Sequence, residues 1–192
     1  MMIDQAAFIE RLDRAKSLGL KAKAAIAEGI RTNRFEGQEV FLSPGNFANA
    51  IYFIQHGLIR GAIEGREGKL STWFKQEGDL ILPQGIFNQK PSEEYISAIN
   101  RTVVSVLPLK HLRKVAESFP EVYELIIAML SEYLKDGQYR EKLLRIPAAK
   151  DRYQYLSLNE AFVLKRVPHY MIASYLNVTK ETFSRLHKGL PY

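Results

Sequence analysis

Cysteine is missing from this chain of 192 residues, and its absence removes several kinds of chemistry. There can be no disulfide, no thiolate metal site, no cysteine nucleophile and no cysteine-held iron–sulfur cluster. Long apolar runs are missing too, since no stretch reaches the roughly 18 apolar residues that span a bilayer. The start, Met1–Gln5, has no apolar signal core. We therefore expect a cytoplasmic protein without a membrane segment.

Catalytic motifs are equally scarce. The four histidines show no i, i+4 pair and no His-Glu-x-x-His pattern, so no metal site is predicted. No glycine-rich phosphate loop and no nucleophile elbow is present. A cupin-like enzyme is the enzyme alternative, but it needs clustered histidines on neighbouring strands, and the β-rich part of the chain contains only His56. The sequence therefore indicates a protein that is not an enzyme.

The spacing of apolar residues divides the chain into a helical, a β-rich and a second helical part. Residues 4–31 have helical periodicity, with Asp4 as a possible cap and Gly19 as a break. From Thr32 to Leu109, short β-branched and aromatic runs alternate with glycines, which indicates an antiparallel sandwich or barrel. The runs cover residues 35–42, 51–54, 58–63, 70–74, 95–99 and 103–107, with a turn at residues 65–68.

A long helix is predicted after this β region. Pro120 is well placed at its first turn, Gly137 weakens it, and Pro147 ends it. Apolar residues recur along it at spacings of three and four, a pattern that fits either an ordinary core or a pairing surface. These residues are Val122, Leu125, Ile126, Met129, Leu130, Tyr133 and Leu134.

The last part of the chain, residues 167–186, reads as a helix-turn-helix. Asn177 falls at the turn, where it tolerates the left-handed conformation, and Thr179 is a good N-cap for the second helix. On that helix Phe183 and Leu186 face inward, which leaves polar side chains outside, near the end that meets base edges in a major groove. An amphipathic helical hairpin without DNA-binding activity is the alternative. The outer residues are Lys180, Glu181, Ser184 and Arg185.

Positive charge is concentrated in the same region. Residues 145–192 contain eight Lys or Arg and three acids, a net charge of +5, whereas the whole chain carries +6. Residues 1–144 therefore hold 19 basic and 18 acidic residues, a net of +1. This asymmetry is the electrostatic footprint of a module that meets a phosphate backbone.

The C-terminal segments resemble the Crp/Fnr family of transcription regulators, in the form common in Bacteroidetes. The resemblance rests on Asp151-Arg152-Tyr153, residues 164–168, residues 172–176 and, above all, Glu181-Thr182-Phe183-Ser184-Arg185, which matches the family pattern Glu-Thr-x-Ser-Arg. It implies that Glu181, Ser184 and Arg185 read bases. Geometry agrees, because arginine binds guanine bidentately and glutamate accepts from cytosine. Lys180, Thr179 and Thr182 are candidates for phosphate contacts, and His169 for a backbone contact of the first helix.

The glycine order of the β region carries the resemblance over residues 5–190. Gly37, Pro44-Gly45, Gly57 and Gly78-Asp79 are placed like the turns of a cyclic-nucleotide-binding β-roll. The expected fold class is α+β: an antiparallel β-roll (double-stranded β-helix or jelly roll) with flanking helices, a long dimerisation helix and a C-terminal helix-turn-helix. The expected domains are 1–117 (sensor), 118–146 (dimerisation helix and hinge) and 147–192 (DNA binding).

The resemblance also implies partners. The long helix would pair with its two-fold mate through Val122, Ile126, Met129 and Tyr133, and the homodimer would bind double-stranded DNA at a two-fold symmetric site. RNA polymerase is a further candidate partner. Relatives often continue into a two-stranded wing, whereas this chain stops at residues 189–192, so we expect some phosphate contacts to be missing.

The predicted effector site departs from that of cyclic-AMP binders. Gly78-Asp79-Leu80 resembles the Gly-Glu-Leu segment of the family, but the slot for Arg-Ser-Ala falls on Glu94-Tyr95-Ile96. A carboxylate where a cyclic phosphate needs an arginine would repel it, and Lys90 and Arg101 do not match the slot. The sequence predicts against cyclic AMP in the usual mode. Asp79, Leu80, Glu94 and Tyr95 remain the candidates for another small effector.

Other readings of these parts stay open. The β-roll would bind an unknown ligand, bind nothing and serve as a dimer scaffold, or receive a partner protein. A β-roll that binds a ligand or a partner without any DNA-binding activity is the alternative for the whole chain. The sequence leaves the choice among these to the structure and to experiment.

Overall fold

The structure, a computed structural model, describes residues 5–66 and 68–189 and has the predicted α+β class. Asp4, Glu67 and residues 190–192, on which parts of the sequence predictions fall, lie outside the described residues. The strands are β1 Arg31–Phe35, β2 Val40–Leu42, β3 Ala50–His56, β4 Ile59–Ile63, β5 Leu70–Lys75, β6 Leu80–Ile81, β7 Tyr95–Ala98 and β8 Thr102–Pro108. The helices are α1 Gln5–Ala15, α2 Leu20–Glu28, α3 Leu109–Ser118, α4 Glu121–Arg145, α5 Ala149–Asn159, α6 Ala161–Arg166, α7 His169–Tyr175 and α8 Lys180–Gly189.

The strands form two four-stranded sheets, with orders β1-β8-β3-β6 and β2-β7-β4-β5. The pairs β1/β8, β3/β8, β3/β6 and β2/β7 are antiparallel, as expected for a β-roll. One predicted turn depends on glycine: Gly57 has φ +100°, and a Cβ there would lie 2.4 Å from Oγ1 of Thr102. Any other residue would strain the backbone and collide with β8 at this corner.

Several elements, including β6, differ from the sequence prediction, and two of these differences have a clear cause. The run 35–42 is not one strand, because residues 36–39 form a turn with Gln38 at φ 69°, and β1 instead begins at Arg31. The helix α3 was not predicted. It follows β8 directly with Pro108 as its N-cap, so the strand passes into an amphipathic helix without a glycine-rich or polar turn between them.

The described chain divides into two compact units, and the first comprises Met1–Arg60 with Lys75–Leu134. Its core joins the N-terminal helices to β3, where Phe8 stacks on Phe53 with ring centroids 5.2 Å apart. Two ion pairs, Arg11 with Glu132 and Lys16 with Glu124, link α1 and the segment after it to α4. Together these contacts hold the first part of α4 against the N-terminal helices.

The second unit comprises Gly61–Phe74 with Lys135–Tyr192. Helices α5 to α8 pack around buried Tyr153, Leu156 and Phe183, and the β-hairpin segment Gly61–Phe74 belongs to the same unit. Within this hairpin Gly61 is required, because a Cβ would lie 2.1 Å from the Trp73 ring. A segment that lies within the β region of the sequence therefore belongs structurally with the C-terminal helices.

The long helix α4 has 25 residues. Its residues up to Leu134 belong to the first unit, and those from Lys135 onward belong to the second. Gly137 does not interrupt it, and a Cβ there would meet no atom within 4 Å apart from the adjacent backbone of its own helix. A glycine in an exposed helix interior costs only about 1 kcal/mol relative to alanine, which the rest of the helix tolerates. Among the described residues no helix, α4 included, combines the length and the apolarity needed to cross a bilayer.

Candidate functional site

The helix-turn-helix predicted from residues 167–186 is present as α7, a short turn and α8. Asn177 has φ 51°, the left-handed conformation that the turn was expected to need. The N–H of Val178 donates to the carbonyl of Ala173 over 3.0 Å, which closes the end of α7. Thr179 caps α8 as predicted, because its Oγ1 accepts the N–H of Thr182 at 3.2 Å.

Aromatic packing fixes the inner side of α8. Phe183 is 1% exposed and lies in contact with Tyr153, at a centroid distance of 6.1 Å. His187 stacks on Phe183 at 5.3 Å, and His169 meets the same ring edge-on at 5.2 Å. With Phe183 inside, the opposite side of α8 must face outward, so the packing determines which residues of this helix are presented.

The outer side of α8 carries the predicted base-reading residues. Lys180, Glu181, Ser184 and Arg185 are all exposed, and Thr182 is half-buried. The pKa of Glu181 is lowered by its own backbone N–H and by the Thr179 hydroxyl, so its carboxylate is an ionised acceptor. Arg185 Nη2 donates to Oγ1 of Thr182 at 3.5 Å and otherwise extends from the surface. The arrangement presents an acceptor, a hydroxyl and a guanidinium within two turns of helix.

His169 and His187, which lie on different helices, come together with their ring centroids 4.5 Å apart. Tyr153 Oη lies 3.1 Å from Nδ1 of His187, and Nδ1 accepts the hydroxyl proton when the neutral ring carries its own proton on Nε2. Desolvation, and then the neighbouring His169, lower the pKa of His187. The pair lies on α7 and α8 and helps to hold the two helices together.

This lowered pKa gives a pH prediction. Folded His187 binds a proton less readily than unfolded histidine, so its contribution to stability is present above a pH of about 6.5 and is lost as the pH falls below it. The thermal unfolding midpoint should therefore fall on acidification, and His187→Gln should reduce that fall. Unfolding scans at several pH values check this, with His56→Gln, an exposed histidine, as control. Identical pH profiles for wild type and His187→Gln would contradict it.

Arg152 is one of the eight basic residues counted in residues 145–192, but its guanidinium is used for hydrogen bonds within the protein, next to the turn between α7 and α8. Its Nε donates to the carbonyl of Leu176 at 2.9 Å, and its Nη1 donates to the carbonyls of Ile146 and Pro147 at 2.8 and 3.0 Å. One guanidinium thus ties the end of α7 to the segment that follows α4. Arg145 is likewise paired, with Glu141. Part of the predicted positive surface is therefore used within the protein.

A second half-buried cation, Arg140, lies behind α7. The guanidinium of Arg140 sits 3.9 Å from the centroid of the Tyr175 ring and donates from Nη2 to the Ser71 carbonyl at 3.3 Å. The Ser71 N–H donates to Oγ of Ser174 at 2.9 Å, and the Tyr175 hydroxyl donates to Glu160 at 2.9 Å. These five residues, here the Arg140 cluster, join the hairpin, α4 and α7. Burial raises the pKa of Tyr175 and lowers that of Arg140.

The predicted effector residues have structural contacts in the first unit. Asp79 Oδ2 accepts the N–H of Gln76 at 2.8 Å and closes its own turn. Leu80 is 7% exposed and packs in the hydrophobic core. Glu94 is buried, and its Oε1 accepts the N–H of Gln84 at 3.2 Å. Tyr95 is half-buried at the start of β7.

The predicted dimer residues need a correction. Val122 and Met129 are 0% and 1% exposed in the core of the first unit, and Ile126 packs against that core. Their faces of α4 are used within the protomer, so Val122 and Met129 cannot contact a second copy. Tyr133 is exposed, at the flank of a different row of apolar side chains. This row, here the exposed stripe, consists of Tyr123, Ile127, Leu130 and Leu134, which are 53, 62, 40 and 61% exposed.

No protein-family model matches the sequence, and no curated protein matches it either. Solved structures do share the fold. FixK2 from Bradyrhizobium japonicum has a TM-score of 0.72 and 22% identity over 83% of this chain and 83% of that chain. The catabolite activator protein of Thermus thermophilus has a TM-score of 0.58 and 17% identity over 94% of this chain and 86% of that chain.

A protein from Eubacterium rectale assigned to the Crp/Fnr family of transcriptional regulators has a TM-score of 0.68 and 16% identity over 88% of this chain and 82% of that chain. At these identities the likeness establishes a common fold. The fold is that of the Crp/Fnr transcription regulators, which confirms the fold predicted from the sequence.

Proposed function

We propose that the protein is a sequence-specific DNA-binding transcription regulator of the Crp/Fnr type. The observation that carries the proposal is α8, whose inner side is fixed by Phe183 and whose outer side presents Glu181, Ser184 and Arg185 to solvent. An N-cap at Thr179 holds the start of that helix, so these side chains are presented with little freedom of the backbone. Such a role places the protein in the cytoplasm, where RNA polymerase is a candidate partner.

Each outer residue has a chemical role in this proposal. Arg185 donates bidentately to a guanine, ionised Glu181 accepts from a cytosine amino group, and Ser184 contacts either kind of base. Lys180 binds a phosphate as a point charge. Thr179 and Thr182 hydrogen-bond to each other at 3.1 Å, so the phosphate contacts proposed for them share their hydroxyls with the helix cap. The His169 ring packs on α8, so its proposed backbone contact uses a nitrogen on the open edge.

The proposed molecule is a homodimer joined along the exposed stripe. Tyr123, Ile127, Leu130 and Leu134 follow one another at spacings of four, three and four, the repeat by which two helices pair. A two-fold dimer would present two copies of α8 to half-sites about one helical turn of DNA apart. The proposed organisation has residues 1–117 as a sensor, 118–146 as the dimerisation helix and hinge, and 147–192 as the DNA-binding part. The hairpin Gly61–Phe74 of the first range is compact with the second unit.

The sensor is proposed not to bind cyclic AMP in the usual mode. The buried Glu94 carboxylate, bonded to the N–H of Gln84, occupies the slot where cyclic-AMP binders place an arginine. A cyclic phosphate next to this group would meet an anion in a poorly solvated place, which is repulsive by several kcal/mol. An effector of a different kind, or none, is consistent with this arrangement.

Selection of bound fragments from genomic DNA by the purified protein, with and without cyclic AMP, tests the proposal. A two-fold symmetric motif recovered equally in both arms is the expected result. A motif recovered only in the presence of cyclic AMP would support the proposed DNA-binding function. It would overturn the proposal that Glu94 prevents binding of cyclic AMP. Absence of any motif, together with no salt-dependent binding to DNA, would favour a protein that only docks a partner.

Arg185→Ala is expected to weaken binding at the selected site by about 1–3 kcal/mol and to relax preference at one base pair. The reason is the loss of a bidentate contact to a base edge, which carries sequence information. Lys188→Ala, an exposed cation near the other end of α8, is the control and should leave base preference unchanged. Binding titrations against a set of single-base variants measure both. An unaltered preference in Arg185→Ala would remove this residue from the readout.

A further inference from the structure

A groove of about 690 Å³ lies on the outside of the first unit. Three separate segments line it: the loop before β3 with Phe47, the loop after β6 with Ile86, and one face of α3. The predicted effector residues Asp79, Leu80, Glu94 and Tyr95 are not among its lining residues. The groove is therefore a different site from the one that the sequence singled out, and we name it the α3 groove.

Apolar side chains form the floor and one wall of the α3 groove. Ile86 and Leu109 are 3% and 6% exposed, so they present a fixed floor, whereas Phe47 is 62% exposed and stands at the rim. A large aromatic ring left in water beside an apolar floor is unfavourable, and a ligand that covers it would gain by removing that surface from water. The apolar part of the groove thus favours an apolar body.

Cations lie along the other wall. Lys110, Arg113 and Lys114 face the groove from consecutive turns of α3, with Glu117 as the acidic residue of this face. In the described parts of the chain neither Lys110 nor Lys114 forms an ion pair, and Arg113 donates only to the carbonyl of Phe87, at 3.1 Å. The bond to Phe87 holds the Arg113 guanidinium next to the floor. The wall therefore carries three cations and one acid, Glu117, and has a net positive charge.

The loop after β6, which forms the third side of the α3 groove, has a fixed backbone conformation. Gln89 has φ 53°, a left-handed conformation that is uncommon for residues other than glycine. Gly85 has φ +80°, and a Cβ at this position would lie 2.2 Å from the carbonyl oxygen of Lys90. The N–H of Lys90 donates back to the Gly85 carbonyl at 3.3 Å. Backbone strain of this kind persists where the surroundings fix it, and such places concentrate at ligand sites.

We propose that the α3 groove binds a small amphipathic carboxylate. Its apolar body lies on Ile86 and Leu109 under the Phe47 ring, and its carboxylate meets Lys110, Arg113 and Lys114. The volume is within the range of about 300–1,000 Å³ that small-molecule sites occupy, and apolar floor and cations converge within one concave site. This favours a small molecule over a longer acidic peptide, which would extend beyond the three segments.

Calorimetric titration of the full chain with octanoate tests the proposal, with octanol and acetate as probes of tail and head group alone. Octanoate is expected to bind saturably, with one site per protomer, and at least ~10-fold more tightly than either probe. Lys110→Glu/Lys114→Glu should weaken octanoate at least ~10-fold because the head group would then face two acids. Phe47→Ser should weaken it as well, by removing the apolar rim.

Arg14→Glu/Lys21→Glu is the matched control, since it makes the same change in net charge at exposed residues of α1 and α2. It should bind octanoate like wild type, and circular dichroism should report native helix content for both double variants. Equal affinity for octanol and octanoate, or wild-type affinity in Lys110→Glu/Lys114→Glu, would overturn the proposal. Binding of an acidic amphipathic peptide but not octanoate would overturn it in favour of a protein partner. The titration uses no DNA, so its failure would leave the proposed regulator untouched.

Discussion

Ile127→Glu is expected to be monomeric at concentrations where the wild type is a dimer. Ile127 is 62% exposed in the middle of the exposed stripe, so a charge there leaves the protomer's own core intact. In the dimer the two new carboxylates would face each other across the two-fold axis and lose water. Burying unpaired like charges costs several kcal/mol, so the dimer dissociation constant should rise at least ~100-fold.

Sedimentation equilibrium over a range of protein concentrations measures this change. Lys135→Glu is the matched control, because it places a carboxylate on the same helix one residue beyond the stripe and away from its line. Met129→Glu is a poor test of the interface, since Met129 is 1% exposed and a carboxylate there would destabilise the first unit. A dimer that persists in Ile127→Glu would show that the protein associates through another surface.

Arg140→Ala is expected to lower the free energy of unfolding by about 2–4 kcal/mol, which is a large part of the stability of a small domain. The change removes a guanidinium from the face of a buried tyrosine ring and leaves the carbonyl of Ser71 without its side-chain donor. Loss of one partner from a buried polar group costs more than a surface contact, because the remaining group stays desolvated. Urea unfolding, followed by circular dichroism at fixed protein concentration, measures the effect.

Arg145→Ala is the control on the same helix. Arg145 is exposed and pairs only with Glu141 one turn away, so its loss should change the unfolding free energy by no more than about 0.5 kcal/mol. Tyr175→Phe separates the parts of the cluster, since it keeps the ring under Arg140 and removes the hydroxyl that donates to Glu160. If Arg140→Ala is as stable as Arg145→Ala, the Arg140 cluster positions the elements it joins but does not add to the free energy of unfolding.

The parts of the site that the sequence predicted correctly are set by neighbouring residues. The left-handed conformation of Asn177 and the cap at Thr179 follow from residue types and from neighbours close in sequence, so they could be predicted, whereas the bond from Arg152 to the carbonyl of Leu176 could not. The inward position of Phe183 follows from helical spacing in the same way. These local features determine which side chains of α8 face outward, and with them the proposed DNA-reading set.

The features that the sequence did not predict depend on distant partners. Arg140 contacts Ser71, which is 69 residues away, and neither side chain carries a pattern that indicates the other. The apolar residues of α4 cover two faces of the helix, and only the packing of α1 and α3 decides which face is used inside. β1 was missed because its residues are mostly exposed and lack the alternation of a half-buried strand.

The hairpin Gly61–Phe74, which belongs with Lys135–Tyr192, makes the second unit discontinuous in sequence. The chain passes between the two units three times, after Arg60, Phe74 and Leu134. Exchange of C-terminal halves between two proteins of this fold, at one crossover in α4 ahead of Arg140, would therefore separate Arg140 and Ser174 from the Ser71 that they contact. Viable chimaeras should need the hairpin and the C-terminal helices to be inherited from the same parent, so the smallest exchangeable module consists of two segments of the gene.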